Sequence, residues 1–396
     1  MKILYILHST DPVAGATKSF LTLLNGIVQK GVSPVVVLPD SDGIYKQILE
    51  MGINAYVLPL KRNCYPRFKT WHQKKNYLPV LVSRIVNSCR IAKKIETIIQ
   101  TEKIDIVHTN SSIISSGLYA AKSLKVPHLC HFREYGDKDF SMYYIPLRRC
   151  YRWLMSRKGC YTACITKDIL NYHGFSGNPR SRVIYNGIAS ATTNNDLSSL
   201  VNGKFILFAG RVEPAKGVDQ LVEAYIAYRK QKNDGSPLPL LIAGEEDAPA
   251  YSVRLKQMLD DAGLTDKDVK FLGARKDIDN LMQQAQVVVV PSRYEAFGRC
   301  MPEAMFNKCL VIGKNTGGTK EQLDNGLNLQ GQEIALRYDT TEELTQRLVE
   351  VTSHDKSFYD KMIQRAYDTV ISLYSNESYI DNVYNFYQEI LKNDKS

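Results

Sequence analysis

The sequence predicts an α/β protein made of two Rossmann-like, doubly wound domains, and three observations carry that prediction. Short apolar runs alternate with longer segments of helical spacing from the first residues onward. The alternation stops at Asn186-Gly187 and restarts at Phe205. The length, 396 residues, exceeds one ordinary core and suits two of roughly two hundred residues each. Strands apolar on both faces and separated by helices belong to a parallel sheet covered on both sides.

In the first half, residues 3–7, 34–38, 55–58, 104–107, 127–130, 161–165 and 183–185 read as strands, with helical spacing over 17–28 and 80–99. The small and polar residues 189–199 read as a linker. In the second half the strands are 205–209, 238–243, 269–272, 287–290 and 310–312, with helices at 217–230, 252–261, 278–284 and 302–307. A last helix carries Tyr379, Ile380, Val383, Tyr384, Tyr387, Ile390 and Leu391 on one face, with Ser375 as its cap. The expected organisation is therefore a domain over 1–187, a linker over 188–203, a domain over 204–374 and a final helix over 375–396. Two such domains place the ligand in a cleft that faces the carboxyl ends of both sheets.

Composition narrows the class. Hydrophobic residues at 44% and charged residues at 23% are those of a folded soluble protein. No run approaches the roughly 20 apolar residues that span a bilayer, and the apolar start is too short for an export signal. The expectation is a cytoplasmic protein. Eight cysteines without a C-x-x-C pair or zinc spacing read as reduced thiols, and no metal ligand set is expected. A net charge of +10 favours polyanionic partners. It concentrates in two clusters: Lys61, Arg62, Arg67, Lys69, Lys74, Lys75, Arg84, Arg90, Lys93 and Lys94, and then Arg148, Arg149, Arg152, Arg157 and Lys158.

Four motifs carry chemistry. The strongest is Glu295-Ala-Phe-Gly-Arg-Cys-Met-Pro-Glu303, directly after the apolar strand 287–290 and a Pro291-Ser292 turn. Pro302 suits the first turn of a helix, so Phe297, Gly298 and Arg299 form the loop that feeds a helix N-terminus, where backbone N–H groups favour a diphosphate. Gly298 admits close approach. Glu295 and Glu303 flank this cradle, and each can accept bonds from neighbouring hydroxyls on the sugar and the ribose of a nucleotide sugar. Either glutamate alone is more often a solvated loop residue or a complement to the helix dipole. The ordered set of strand, turn, glycine and Pro-Glu argues against that for the pair.

The second motif is Gly210-Arg211-Val-Glu-Pro-Ala-Lys216-Gly217, again between strand and helix. Departure of a nucleoside diphosphate builds negative charge that fixed cations stabilise. Arg211 can fork onto two phosphate oxygens, and Lys216 supplies a point charge. Glu213 reads as structural. The third, Asp11-Pro-Val-Ala-Gly15-Ala-Thr-Lys18, is a small-residue loop entering a helix. It lacks both the dinucleotide and the P-loop patterns and is weak by itself. The fourth, Val126-Pro-His-Leu-Cys-His131-Phe-Arg133-Glu134, ends a strand of the first domain. There His131 can orient an acceptor hydroxyl, and Arg133 with Glu134 can hold it; His108 and His128 read as structural.

With these residues the chain resembles the retaining, two-domain glycosyltransferases of the family 4 or "group 1" type, which have the GT-B fold. The resemblance runs along nearly the whole length and rests on the Gly-Arg-x4-Lys-Gly and Glu-x7-Glu motifs together. It implies that Arg211 and Lys216 bind the donor diphosphate, Glu295 the sugar hydroxyls and Glu303 the ribose, with Gly298 and Arg299 as backbone donors. It also implies that His131 is the active-site histidine and Gly15 the first-domain glycine loop, although this chain has Ala14-Gly15 where the family usually has two glycines. It implies further that the last helix crosses back to the first domain. The implied partners are a nucleotide sugar, with UDP or GDP as carrier and no other cofactor, and a saccharide or lipid-linked saccharide acceptor in bacterial surface polysaccharide assembly.

Three other readings compete. A metal-dependent glycosyltransferase needs an Asp-x-Asp pair after an apolar strand. The tripeptides at Asp137–Asp139, Asp266–Asp268 and Asp277–Asp279 do not follow one in that way. A nucleotide-sugar epimerase of the same fold would turn over donor without acceptor. A non-catalytic polyanion or membrane module would need only the basic clusters. No nucleic-acid recognition motif is present, but the basic stretch 61–94 interleaves cations with Tyr65, Phe68, Trp71, Tyr77, Leu78, Leu81 and Ile85, a pattern that also fits an anionic membrane surface.

Overall fold

The computed structural model describes residues 1–68, 71–139, 141–145, 147–188, 204–232 and 237–394. The chain divides into two compact units, one formed by residues 1–187 with 376–396 and the other by residues 188–375. Beyond Ile188, the linker expected over 188–203 lies outside the described residues, as does Lys69.

The first unit carries strands β1 (Lys2–Ile6), β2 (Ser33–Leu38), β3 (Asn54–Val57), β4 (Cys64–Pro66), β5 (Ile106–Thr109), β6 (His128–Phe132), β7 (Met142–Tyr144), β8 (Cys160–Cys164) and β9 (Ser181–Val183). Seven of them form a parallel sheet in the order β3-β2-β1-β5-β6-β8-β9, while β4 and β7 pair as a separate antiparallel ribbon. Its helices are α1 (Gly15–Gln29), α2 (Tyr45–Glu50), α3 (Trp71–Lys75), α4 (Tyr77–Glu102), α5 (Ser116–Leu124), α6 (Arg148–Met155) and α7 (Lys167–Tyr172).

Alternation along β1 explains the two layers of core. Ile3 and Tyr5 face one side, where Phe20, Leu23, Leu24 and Ile27 of α1 pack, and Leu4 and Ile6 face the other, against Ile91, Ile95 and Ile99 of α4. The terminal helix (Asn376–Asp394) adds Tyr379, Val383, Phe386, Tyr387 and Ile390 to the first of these layers. Each such side chain stabilises by roughly 1.5–3 kcal/mol on burial. A Cβ on Gly26 of α1 would lie 2.1 Å from Ile380 Cδ1, so the glycine, costly in mid-helix, lets these two helices approach closely.

The second unit carries β10 (Ile206–Ala209), β11 (Leu240–Ala243), β12 (Val269–Gly273), β13 (Val287–Val290), β14 (Val311–Lys314) and β15 (Leu336–Tyr338). They form one parallel sheet in the order β12-β11-β10-β13-β14-β15. Its helices are α8 (Val218–Gln231), α9 (Pro249–Asp261), α10 (Ile278–Gln284), α11 (Cys300–Phe306), α12 (Gly317–Gln330), α13 (Thr341–Ser353) and α14 (Asp360–Tyr374). One core layer joins Ile206, Phe208, Ile242, Val287 and Val289 of the sheet to Leu221, Val222 and Tyr225 of α8 and Leu344 and Leu348 of α13. Helix α13 starts on a capping box in which Thr340 and Glu343 satisfy each other's backbone N–H groups.

Candidate functional site

In the second unit the chain leaves β10 toward β11 and β12, then returns to the other side for β13, β14 and β15. The topological switch point therefore lies between β10 and β13, where open α/β sheets bind ligands at the strands' carboxyl ends. Residues 210–217 and 291–299 leave those two ends. Gly217 has a φ of +67°, and a Cβ there would sit 2.1 Å from the Pro291 carbonyl oxygen, so only glycine lets the two loops touch. Arg293 ties them further: its backbone N–H donates to the Ala215 carbonyl at 2.9 Å, and its guanidinium donates to the Pro214 carbonyl at 2.5 Å and to Asp219 at 2.7 Å.

This frame brings Lys216 Nζ within 2.5 Å of Glu295 Oε1, and the Ser292 hydroxyl donates to the same oxygen at 2.8 Å. The two charged side chains are 23% and 14% exposed, half-buried and still reachable from solvent. Gly298 has a φ of +77°, and a Cβ there would lie 3.2 Å from Glu295 Cγ. Arg299 Nε donates to Glu303 Oε1 at 3.0 Å across the first turn of α11, which holds that carboxylate in place. Pro302 is the third residue of this helix. Arg211 is the most exposed member of the set. Its guanidinium pairs with Glu213 at 2.9 Å and Asp247 at 3.3 Å, which gives Glu213 a partner that its sequence position did not reveal.

Phe297, expected among the donor contacts, turns its ring inward. It is buried and stands edge-on to Tyr374 at 5.6 Å, so it anchors the loop from below. Sequence reading also missed the Gly317-Gly318 pair at the start of α12. The Gly318 N–H donates to the Glu295 carbonyl at 2.7 Å, and a Cβ on Gly318 would lie 2.8 Å from the Phe297 carbonyl oxygen. Adjacent glycines directly after strand β14 were the available signal. Gln322 of the same helix donates to the Phe297 carbonyl at 2.7 Å.

Gly15 and His131 belong to the first unit. Gly15 is the first residue of α1, whose cap position, Ala14, supplies no side-chain bond. The fourth motif needs a correction. Strand β6 runs two residues past the expected end at 130, so His131 lies inside the strand, fully buried, and Arg133 is the first residue beyond it. Burial, together with Arg133 and His108 nearby, holds the His131 imidazole well below its usual pKa, and Arg133 Nη2 contacts its Nδ1 at 3.3 Å.

Arg133 itself is held by neutral partners. Its guanidinium donates to Asn110 Oδ1 at 2.9 Å, to Asn186 Oδ1 at 2.6 Å and to the Tyr379 hydroxyl at 3.0 Å. Glu134 is buried beside it and accepts bonds from the Ser111 hydroxyl and from both the hydroxyl and the N–H of Ser112. Its carboxyl still stands above the usual range because burial outweighs those bonds. Burial, with Arg62 and Arg133 close by, lowers the pKa of His8 beyond β1 to about 4, so this imidazole is neutral at physiological pH.

Each of the three Asp-x-Asp tripeptides has at least one carboxylate with a protein partner. Asp139 accepts the N–H groups of Tyr135 and Gly136, and Asp137 accepts the Tyr172 hydroxyl. Asp268 pairs with Arg229 at 2.7 Å and Asp277 with Arg275 at 2.7 Å.

The second unit thus pairs a lysine with a glutamate at the switch point of a doubly wound sheet. Residues 192–369 match the family described as "Glycosyl transferases group 1", and residues 13–191 match "Glycosyltransferase Family 4". The chain belongs to the group 1, family 4 glycosyltransferases.

An uncharacterized 42.6 kDa protein in the cps region of Klebsiella pneumoniae is 27% identical over 336 residues, covering 78% of this chain and 83% of that one. A glycosyltransferase from Rickettsia africae superposes with a TM-score of 0.75 at 22% identity and 99% coverage of both chains. HepE of Anabaena, solved in complex with UDP, superposes with a TM-score of 0.74 at 20% identity, covering 98% of this chain and all of its own. These two likenesses show the shared GT-B fold.

Proposed function

We propose that this glycosyltransferase moves a hexose-type sugar from a UDP- or GDP-linked donor to a hydroxyl of a saccharide or lipid-linked saccharide. In this reading the anomeric configuration is retained, no metal ion takes part, and the product enters a bacterial surface polysaccharide. The observation that carries the reading is the Lys216–Glu295 pair at the switch point between β10 and β13. When donor binds, Lys216 turns from the carboxylate to the diphosphate, and Glu295 is released to accept bonds from sugar hydroxyls. Arg211 supports the phosphates, and the backbone N–H groups of Gly298 and Arg299 face them. Glu303, held by Arg299, takes the ribose.

As the glycosidic bond to phosphate breaks, charge grows on the leaving oxygen. Fixed cations stabilise it more in the transition state than before. In the first unit, Gly15 is a donor-binding residue, and the end of β6 serves the acceptor side, with His131 as the active-site histidine and Arg133 beside it. The cps-region relative and the solved complexes of HepE with UDP and with UDP-glucose support the donor class and the setting.

The test is a panel of nucleotide sugars screened by thermal stabilisation, since bound ligand raises apparent stability as RT ln(1 + [L]/Kd). Turnover is then followed by NMR with and without EDTA. A retained anomeric configuration and an EDTA-insensitive rate are expected. An inverted product, or a loss of rate that manganese restores, overturns the mechanism. Conversion of donor with no acceptor present would instead identify an epimerase.

A further inference from the structure

The sequence carries two stretches without a single acidic residue, one between Glu50 and Glu96 and one between Asp139 and Asp168, and each contains a basic cluster. They are far apart in the chain, and the fold joins them. Strand β4 pairs with β7 so that Tyr65 lies opposite Tyr143. Just after β4, the Phe68 ring packs 5.3 Å from Tyr143 and 5.6 Å from Tyr77, the first residue of α4. Helix α6 follows β7 closely, and its Tyr151 ring stacks on Tyr144 of β7 with the centroids 6.0 Å apart. The ribbon therefore gathers α3, the start of α4, and α6 on one part of the first unit.

What these elements show to solvent is unusual. Leu78, Val82 and Val86 recur every four residues on α4 and face outward, whereas a solvated helix carries polar residues on that side. Together with Trp71, Leu147 and Trp153 they are between 52% and 68% exposed. Among the described residues, Lys74, Lys75, Arg149 and Arg157 make no ion pair, and Lys75 and Arg157 stand over the Trp71 and Trp153 rings at 5.5 and 4.1 Å. Beside Leu147, Arg148, Arg149 and Arg152 line a cavity of about 370 Å³ with Tyr172 and His173. Among the described residues no helix is long and apolar enough to cross a membrane.

We propose that this face docks on an anionic bilayer, with α3, α4 and α6 lying in the interface and the three-arginine cavity taking a lipid headgroup phosphate. Aliphatic side chains between cations suit a lipid surface, where they enter the acyl boundary while the charges meet the headgroups. A nucleic acid would use the cations and leave Leu78, Val82 and Val86 in water. The inference deepens the transferase reading by naming the surface on which a lipid-linked acceptor would be met.

The experiment is co-sedimentation of the full chain with vesicles of phosphatidylcholine alone and of phosphatidylcholine mixed with phosphatidylglycerol, at low and high salt. Binding to the mixed vesicles is expected to exceed that to neutral ones roughly tenfold and to fall with salt. Two variants on exposed positions, Lys75→Glu/Arg149→Glu and Val82→Ser/Trp153→Ser, should each lower it by roughly the same factor while donor binding stays unchanged. Equal binding to both vesicles, or no binding, overturns the proposal. So does binding that the apolar variant leaves intact, which would mark a generic polyanion contact. The vesicle assay uses no donor, so its failure leaves sugar transfer standing, and a failure of donor binding leaves the docking result standing.

Discussion

Replacing Lys216 by alanine tests the switch-point assignment most directly. In the free protein Lys216 Nζ lies 2.5 Å from Glu295 Oε1, and the carboxylate keeps a second bond from the Ser292 hydroxyl at 2.8 Å. Both charged side chains retain solvent contact, so the pair contributes about 1 kcal/mol or less to stability and the variant folds. Its effect on ligand is larger. A charge-assisted hydrogen bond to phosphate contributes about 1.5–3 kcal/mol, which lowers nucleoside diphosphate affinity roughly 10- to 150-fold. Turnover falls by about 10²–10³-fold.

Glu295→Ala should behave differently. It removes the carboxylate that holds Lys216 in the free state, so the free nucleoside diphosphate binds at least as well as to the parent, while the intact sugar donor loses about 1.5–3 kcal/mol. Calorimetric titration of both variants with UDP, GDP and a matched nucleotide sugar separates these cases. Unchanged diphosphate binding in Lys216→Ala, or equal weakening of both ligands in Glu295→Ala, would refute the division of roles.

Other positions make independent predictions. Gly318→Ala places a Cβ 2.8 Å from the Phe297 carbonyl oxygen, and backbone must move to admit it, so donor affinity drops sharply in calorimetry; parent-like affinity would show that this contact does not shape the site. Asp219 stands below the usual carboxylate range: burial raises its pKa, but Arg293 and the Tyr251 hydroxyl outweigh that. A depressed folded pKa stabilises above the unfolded value near 4 and is lost as pH falls through the folded one. Asp219→Asn should therefore lower stability to urea at pH 7 and lose that deficit progressively in acid; a deficit independent of pH would contradict the linkage. Tyr387→Phe removes the hydroxyl that bonds His108 Nδ1 at 2.5 Å and Tyr5 at 3.1 Å inside the first core. It should cost about 1–3 kcal/mol in urea unfolding with donor binding intact. No loss of stability would mean that the buried polar network is energetically idle.

Much of this architecture is written locally. The four valines of β13, the valine run of β2 and the inward stripe of the terminal helix are plain in the chain, because burial on both faces of a strand or along one stripe of a helix leaves a periodic record. The glycines and charges of the two second-unit motifs are equally plain, since turns and cradles require particular residue types. Three short strands left no such record: β4 contains a proline, β7 two tyrosines and β15 an arginine, in three residues each.

What only the tertiary structure decided are relations between distant segments. Sheet order, not either motif, puts Lys216 against Glu295. The extension of β6 that buries His131 and brings Arg133 to the strand's end is coupled to Asn110, Asn186 and Tyr379, none of them a sequence neighbour. The same holds for the terminal helix, whose stripe announces burial without naming its partner until Ile380 meets Gly26. It holds too for the two basic clusters, whose stretches of chain are joined by the pairing of β4 with β7. Periodicity records that a residue will be buried or turned. Which residue it meets depends on pairings between distant segments, and those follow from the packing of the whole unit.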